Sequence, residues 1–380
     1  MHTMSSLFIG LMSGTSLDGI DGVVVDFPVA KGATGVHVLS HAKRAFPDDL
    51  RSRLAALNHA GEDELHRAAL AANALAREYA ALVETLRASV AVANRPVVAI
   101  GCHGQTVRHR PGEFDGIGYT IQLNAPALLA ELTGIDVIAD FRSRDLAAGG
   151  QGAPLVPAFH RAVFARAGVT VAVLNLGGIA NLTVLGPGDD AIGFDCGPAN
   201  TLLDLWCQRS SGQPFDGDGA AAARGVVDAR LLDALLAEPY FALAPPKSTG
   251  LDLFNAAWLD GRLDGTDARA RLRAEDVQAT LAELTAQVVA AACLHHAAAA
   301  RELVVCGGGA FNADLMARLS RALAPMTVVA SDARGLPPDQ VEAAAFAWLA
   351  HAFLERQAGN VATATGAAGG RVLGALYPAR

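Results

Sequence analysis

The chain has 380 residues, 52% of them hydrophobic and 18% charged, which is enough apolar material for two cores and more than one core usually organises. Its 30 basic and 38 acidic side chains leave a net charge of −8, and no basic cluster is interleaved with aromatics, so a nucleic-acid surface is not expected. The first cation is Lys31, no charged leader or long apolar run comes before it, and neither a signal peptide nor a membrane span is expected.

Two apolar runs, Leu7 to Met12 and Ile20 to Phe27, are short enough for strands. Between them lies a small, hydroxyl-rich and acidic turn, Ser13-Gly14-Thr15-Ser16-Leu17-Asp18-Gly19, followed at once by Ile20 and Asp21. Its N–H groups and hydroxyls suit an anion such as phosphate. Asp18 and Asp21 supply hard oxygens of the kind that bind magnesium together with water. A tight turn needs only one or two such residues, so their density here favours function over simple chain reversal.

A helix is predicted over Glu62 to Val92, where Leu65, Ala69, Ala72, Leu75, Tyr79, Leu82 and Leu86 keep three-and-four spacing. Strand Val97 to Gly101 opens into Cys102-His103-Gly104-Gln105-Thr106, and strand Ile135 to Ala139 into Asp140-Phe141-Arg142-Ser143-Arg144-Asp145. Polar groups just past strand ends mark the edge where open α/β sheets bind ligands. Gly149-Gly150-Gln151-Gly152 reads as a hinge. A second strand, Gly-Gly turn and strand run from Val169 to Leu185 and echo the first hairpin. The echo predicts an α/β fold built twice, with lobes at 1–160 and 161–344, residues 345–380 available to pack back on the first, and ligand held between them. Helices are predicted over Gly219 to Leu236, Ala274 to Ala300 and Pro338 to Gln357, with strands at Leu303 to Cys306 and Thr327 to Ala330. The apolar stretch Leu281 to Ala300 is interrupted by Glu283, Thr285, Gln287, His295 and His296 and reads as a buried helix.

Gly193-Phe194-Asp195-Cys196-Gly197-Pro198 precedes a helix predicted from Thr201. Asp195 there is as well suited to a helix cap as to a phosphate or water site, and its likeness to the acidic first turn tips it toward catalysis. Gly307-Gly308-Gly309-Ala310-Phe311-Asn312 lies between a strand and a helix but lacks the third glycine of a dinucleotide fingerprint, so glycine backbone against a nucleoside is an equally good use. With Lys31, Lys43 and Lys247 as the only lysines, no P-loop or kinase strand lysine exists, and phosphate must be met by amides, arginine or metal. Lys247 sits in Pro245-Pro246-Lys247-Ser248-Thr249-Gly250. Asp216-Gly217-Asp218-Gly219 fails as a calcium loop because position 227 is Val. The 5 cysteines lack paired spacing, so a zinc knuckle, a disulfide framework and thiol catalysis are not expected, and a reducing cytoplasm is.

Taken together, Gly10 to Asp21, His103-Gly104-Gln105-Thr106, Gln122-Leu123-Asn124, Asp140-Phe141-Arg142, Gly149 to Leu155, Asn175 to Asn181, Gly193-Phe194-Asp195, Gly197-Pro198, Lys247 to Gly250 and Gly307 to Gly309 resemble the 1,6-anhydro-N-acetylmuramic acid kinase family over nearly the whole chain. The resemblance implies the two-lobed ribonuclease-H-like architecture of actin, hexokinase and heat-shock chaperone ATPases, with ATP and magnesium in a central cleft. It implies that water opens the 1,6-anhydro ring while the 6-oxygen takes the γ-phosphate, giving N-acetylmuramic acid 6-phosphate in peptidoglycan recycling. Gly14 to Asp21 would hold the phosphates, with Asp18 and Asp21 on the metal. Asn175, Gly177, Gly178, Gly197, Gly307, Gly308, Gly309 and Asn312 would surround the nucleotide. Asp195 would be the base, with Glu342 near the reacting groups. His103, Gln105, Thr106, Gln122, Asn124, Asp140, Arg142, Gly150, Gln151, Gly152 and Pro154 would line the sugar site, Arg142 taking the lactyl carboxylate. The chain departs from the family in carrying Cys196 after Asp195, where Thr is frequent, and Leu251 after Lys-Ser-Thr-Gly, where Arg is frequent. Rival readings are another sugar kinase of the superfamily and a non-catalytic ATP-binding switch. The assembly is left open, a homodimer included.

Overall fold

The structure is a computed structural model that describes residues 6–14, 17, 19–27, 35–89, 91–92, 95–188 and 190–380. Thr15, Ser16 and Asp18, three of the predicted phosphate and metal residues, lie outside the described residues. The chain divides into two compact units, Met1–Val163 with Gln340–Arg380, and Phe164–Asp339.

In the first unit, β1 (Ser6–Met12), β2 (Gly19–Phe27) and β3 (His37–Ala45) form an antiparallel meander. The chain then returns so that β4 (Val97–Cys102) lies parallel to β1 and a later strand, Val137–Ala139, lies parallel to β4. A two-stranded ribbon, β5 (Gln105–Pro111) and β6 (Gly118–Leu123), intervenes between these, so the fifth strand of the main sheet is β7 (Val137–Ala139). In the second unit, β8 (Val171–Leu176), β9 (Ile179–Leu185) and β10 (Ala191–Pro198) make the same meander. There β11 (Glu302–Cys306) is parallel to β8 and β12 (Thr327–Ala330) is parallel to β11. Numbered within each unit, both sheets run 3-2-1-4-5, and the first gains a sixth strand, β13 (Ala375–Tyr377), antiparallel to β7. This is the ribonuclease-H-like order, present twice.

The central strands are apolar on both sides because both faces are covered. In unit 1, Leu7, Ile9 and Leu11 pack with Leu75, Tyr79, Leu82 and Leu86 of the helix Glu64–Arg87. Strand pleating turns Gly10 to the opposite face, where the Ala-rich helix Val341–Leu354 lies almost on the backbone. A Cβ on Gly10 would come within 1.8 Å of the Ala343 carbonyl oxygen, and one on Gly101 within 1.9 Å of that of Phe346. In unit 2 the helix Ala274–His296 fills the core with Leu281, Leu284, Val288 and Val289. It is long and apolar enough to cross a membrane, yet 72% of its most apolar stretch is buried inside the unit.

Two expectations are corrected. The helix predicted over Gly219 to Leu236 is broken into Ala220–Arg224 and Ala229–Leu236. At the break Gly225 is pressed against the long helix, where a Cβ would meet the Glu275 carbonyl oxygen at 1.9 Å, and Asp228 restarts the helix by accepting from the Leu231 N–H at 2.8 Å. The segment Gly149 to Gly152 is no hinge between units. It lies inside unit 1, tied down by the Gly150 N–H to the Asp145 carbonyl at 2.9 Å and the Gln151 N–H to the Thr365 carbonyl at 2.8 Å, while the chain passes between units at Val163 and again at Asp339.

Candidate active site

In unit 2, Asp195 stands opposite Asn181 on the β9–β10 ladder, immediately before a register shift that advances the pairing to Gly197 and Ala180. Such a bulge re-aims a strand side chain. One carboxylate oxygen accepts from Asn181 Nδ2 at 2.8 Å and the other from the Thr249 N–H at 3.0 Å. The main chain is held as firmly: the Asp195 N–H donates to the Lys247 carbonyl at 3.2 Å, and the Tyr240 hydroxyl donates to the Asp195 carbonyl at 2.9 Å. Desolvation pushes the carboxyl pKa above its ordinary value, against the pull of the Asn181 and Thr249 donors and of the Lys247 charge. The result is a carboxylate fixed in direction, with a raised proton affinity and lone pairs to spare.

Lys247 is not a freely solvated loop lysine. Its ammonium donates to the Tyr240 and Phe241 carbonyls at 3.3 and 3.2 Å and lies 4.8 Å from the centre of the Tyr240 ring. Burial lowers its pKa, while Cys196 and Asp195 act in the other direction.

The glycine turns of this unit divide by the room beside them. A Cβ on Gly177 or Gly308 would meet nothing closer than 3.8 Å, so both have free space beside them. By contrast Gly178 is closed by Thr201 at 2.6 Å, Gly197 by the Phe241 ring at 2.7 Å, Gly307 by Asn175 at 2.4 Å and Gly309 by Leu176 at 2.6 Å. Asn175 is accordingly buried under the Gly307 turn. Asn312 caps the helix Ala313–Leu323, accepting from the Leu315 N–H at 2.9 Å.

In unit 1 the first turn is tied to β5 through Gln105, whose Nε2 donates to the Gly14 carbonyl at 3.0 Å. Ser13 bonds Tyr79 and the Gly104 carbonyl. The side chains of Leu17 and Ile20 belong to the core, and Gly19 is pressed to β3, where a Cβ would lie 2.4 Å from the Arg44 carbonyl oxygen. Only main-chain atoms at these three positions are left for a ligand. Asp21 faces two basic neighbours across the sheet, Lys43 at 3.3 Å and His41 at 3.5 Å. Among the described residues no cluster of three or more metal-ligating side chains is present.

The second polar group of unit 1 is built around Arg142. Its Nε and Nη2 reach His103 Nε2 at 3.1 and 2.9 Å, and its Nη1 donates to the Gly152 carbonyl at 2.7 Å. A guanidinium has five N–H donors, so one remains on each terminal nitrogen, suited to a ligand carboxylate. His103 is held well below its ordinary pKa, first by burial and then by the Arg142 charge. Neutral His103 therefore accepts at Nε2 and carries its proton on Nδ1. Burial also lowers Arg142, to about 10, with Glu342 and Asp145 opposing; it remains charged at neutral pH. Thr106 and Gln122 pair across the ribbon at 3.2 Å, Asn124 donates to the Cys102 carbonyl at 3.4 Å, and Asp140 accepts from the Ser143 hydroxyl at 2.6 Å to start the helix Ser143–Leu146. Gly150, Gln151, Gly152 and Pro154 form the loop beside Arg142.

Comparison with known proteins decides the family. The family model described as anhydro-N-acetylmuramic acid kinase matches residues 6–379. Proteins of that name from Variovorax paradoxus and Bordetella petrii are each 60% identical, over 98% and 100% of this chain and 99% and 98% of their own lengths. The chain belongs to the anhydro-N-acetylmuramic acid kinase family. Among solved structures, the activator of 2-hydroxyisocaproyl-CoA dehydratase from Clostridium difficile aligns with a TM-score of 0.46 at 11% identity over 90% of this chain and 93% of its own. A glucokinase of the ROK family from Streptomyces griseus aligns with a TM-score of 0.41 at 16% identity, over 90% of this chain and 99% of its own.

As a member of the anhydro-N-acetylmuramic acid kinase family the chain is an enzyme, a phosphotransferase. Its departures from the family pattern are placed differently in the molecule. Cys196 is buried in the unit 2 core with its thiol pKa driven well up by burial, which makes it inert packing, whereas Leu251 is 51% exposed. Three residues to which the sequence motifs assign no individual role carry the geometry of this kinase: Asn181 and Asp145, which lie within quoted motifs, and Tyr240, which lies in none. Counting outward from the Gly177-Gly178 turn sets Asn181 against Asn175 on β8, and its place opposite Asp195 follows only from the β9–β10 pairing. No local signal marks Tyr240, which reaches Asp195 across 45 positions.

Proposed function

We propose that this enzyme is an ATP-dependent kinase that opens the 1,6-anhydro ring of 1,6-anhydro-N-acetylmuramic acid and phosphorylates the 6-oxygen, in peptidoglycan recycling. The observation that carries the reading is the Asp195 carboxylate: fixed at both oxygens, raised in pKa by desolvation, and seated on a strand bulge. A water hydrogen-bonded to it would lose its proton to Asp195 as the water oxygen bonds to the anomeric carbon. The bond from that carbon to the 6-oxygen breaks, its electron pair stays on the 6-oxygen, and that oxygen bonds to the γ-phosphorus as the bond to ADP breaks. Positioned acid–base catalysis of this kind contributes roughly 10²- to 10⁴-fold, the rest coming from alignment and charge stabilisation.

Arg142 would take the lactyl carboxylate on its two remaining N–H donors, held in place by neutral His103 and the Gly152 carbonyl. Gln105, Thr106, Gln122, Asn124, Asp140 and the loop with Gly150, Gln151 and Pro154 would complete the sugar site, with Glu342 acting near Arg142. Gly177, Gly178 and Gly308 are the glycines best suited to a nucleotide, because they are not buried. The remaining glycines of those turns, with Asn175 and Asn312, would shape the turns. Asp18 and Asp21 would hold magnesium, which would supply positive charge beside the phosphates; Asp21 has Lys43 and His41 for neighbours. All 5 cysteines are buried and none is joined in a disulfide, and the compartment proposed is the cytoplasm.

The test is ADP release with the anhydro sugar against ordinary hexoses, run in oxygen-18 water. Sugar-stimulated ADP release with the label at the anomeric carbon is expected. Phosphorylation without label would mean an ordinary sugar kinase, and nucleotide binding without sugar-stimulated turnover a non-catalytic switch.

A further inference from the structure

Asp145 is fully buried; its hydrogen bonds come from neutral donors, and its charge also acts on the Arg142 guanidinium. One oxygen accepts from the Gly152 N–H at 2.7 Å, the other from Asn360 Nδ2 at 2.6 Å and the Thr365 hydroxyl at 2.8 Å. A buried carboxylate is costly to keep, and a core held together by hydrophobic contacts has no need of one. What it does here is join the C-terminal segment to the loop beside Arg142. Around it the same two segments are stitched by the Gln151 N–H to the Thr365 carbonyl and the Ala368 N–H to the Ala148 carbonyl, both at 2.8 Å. Gly150 has no space for a side chain, since a Cβ would lie 2.2 Å from the Asp145 carboxylate. Asn360 is itself oriented, because its Oδ1 accepts from the Arg371 N–H at 2.7 Å, so its amide must present Nδ2 to Asp145.

We propose that Asp145 is a positioning residue for sugar binding: by holding the Gly152 N–H and the C-terminal segment it sets the Gly152 carbonyl on which Arg142 rests, and through Arg142 the His103 contact. This deepens the sugar-site reading given above and rests on it. The chain of contacts runs from Asp145 to the Gly152 amide, from the Gly152 carbonyl to Arg142 Nη1 at 2.7 Å, and from Arg142 Nε to His103 Nε2 at 3.1 Å. Displacing a binding group by an ångström is enough to cost up to about 10²-fold in rate.

The experiment compares Asp145→Asn, Asn360→Asp and the double variant as full-length enzymes, with KM for the anhydro sugar, KM for ATP, kcat and melting temperature measured for each. Asp145→Asn keeps the size but turns one acceptor into a donor facing Asn360, Thr365 or Gly152; the double variant restores an acceptor opposite that donor. The expected result is a sugar KM raised about 10-fold or more in Asp145→Asn with ATP KM within about twofold, and recovery to within about threefold of wild type in the double variant. Unchanged sugar KM in Asp145→Asn overturns the proposal, as does an equal loss for sugar and ATP without recovery in the double variant. Should Asp145→Asn not fold, Thr365→Val, which removes one donor at constant shape, must show the same selective rise. Arg142→Ala run in parallel separates the two levels. If it leaves the sugar KM unaltered, the sugar-site reading falls and the positioning role with it; if it raises that KM while Asp145→Asn does not, only the positioning role falls.

Discussion

Asp195 shows how one side chain acquires a reactivity its residue type does not guarantee. An aspartate in water is ionised above about pH 4 and is a weak base. Withdrawing it from solvent raises its proton affinity, and the Asn181 and Thr249 donors keep the anion aimed without neutralising it. Asp195→Asn should therefore cut kcat by about 10²- to 10⁴-fold with a modest change in sugar KM, and near-normal turnover would remove the base assignment. The same shift has a sign in the pH profile. A base works when unprotonated and this pKa is raised, so activity is lost as pH falls through a value above the ordinary carboxylate one. The acid limb of kcat/KM should thus lie at higher pH than a free aspartate would give. A limb at or below the ordinary value would show that burial does not govern the group.

At the scale of elements, glycines decide where helices go. The helix Val341–Leu354 can settle on β1 and β4 only because Gly10 and Gly101 lack side chains, and Glu342 sits in its first turn. Gly101→Ala would force the helix off the Phe346 carbonyl contact. Overpacking of this kind costs roughly 1–3 kcal/mol. The expected readout is a melting temperature lower by about 2–4 °C per kcal/mol, together with a raised sugar KM as Glu342 moves relative to Arg142. A variant with wild-type melting and kinetics would show that the helix does not depend on this contact. Gly225 acts in the opposite way, breaking a helix that the local sequence would have continued through it.

For the whole molecule, the repeated 3-2-1-4-5 order means that each unit has its own sheet and core, but only unit 2 is continuous in sequence. Unit 1 needs residues 340–380 for the helix on one face of its sheet, for β13 and for the Asn360 and Thr365 contacts to Asp145. A chain ending at Asp339 should leave unit 1 unfolded while unit 2 keeps its core. Limited proteolysis should degrade residues up to about 163 and spare a fragment near 164–339. Equal resistance of both halves would show that unit 1 stands without its C-terminal part.

The sequence alone determined the repeated α/β plan, the positions of most strands and helices, and the family, because apolar periodicity and short glycine–acid motifs are local signals. The hairpin turn at Gly177-Gly178 sets Asn181 opposite Asn175 by counting residues along the two strands, while its place opposite Asp195 comes from the β9–β10 pairing. Tertiary structure alone decided which glycines have room for a side chain, since Gly177 and Gly178 look alike in sequence and Thr201 fills that space beside Gly178 alone. It also turned Gly149 to Gly152 from an apparent hinge into a fastened loop, because Asn360 and Thr365 reach Asp145 across 215 and 220 positions. Contacts that close such long loops are set by the packing of the whole unit, and no local pattern of residues encodes them.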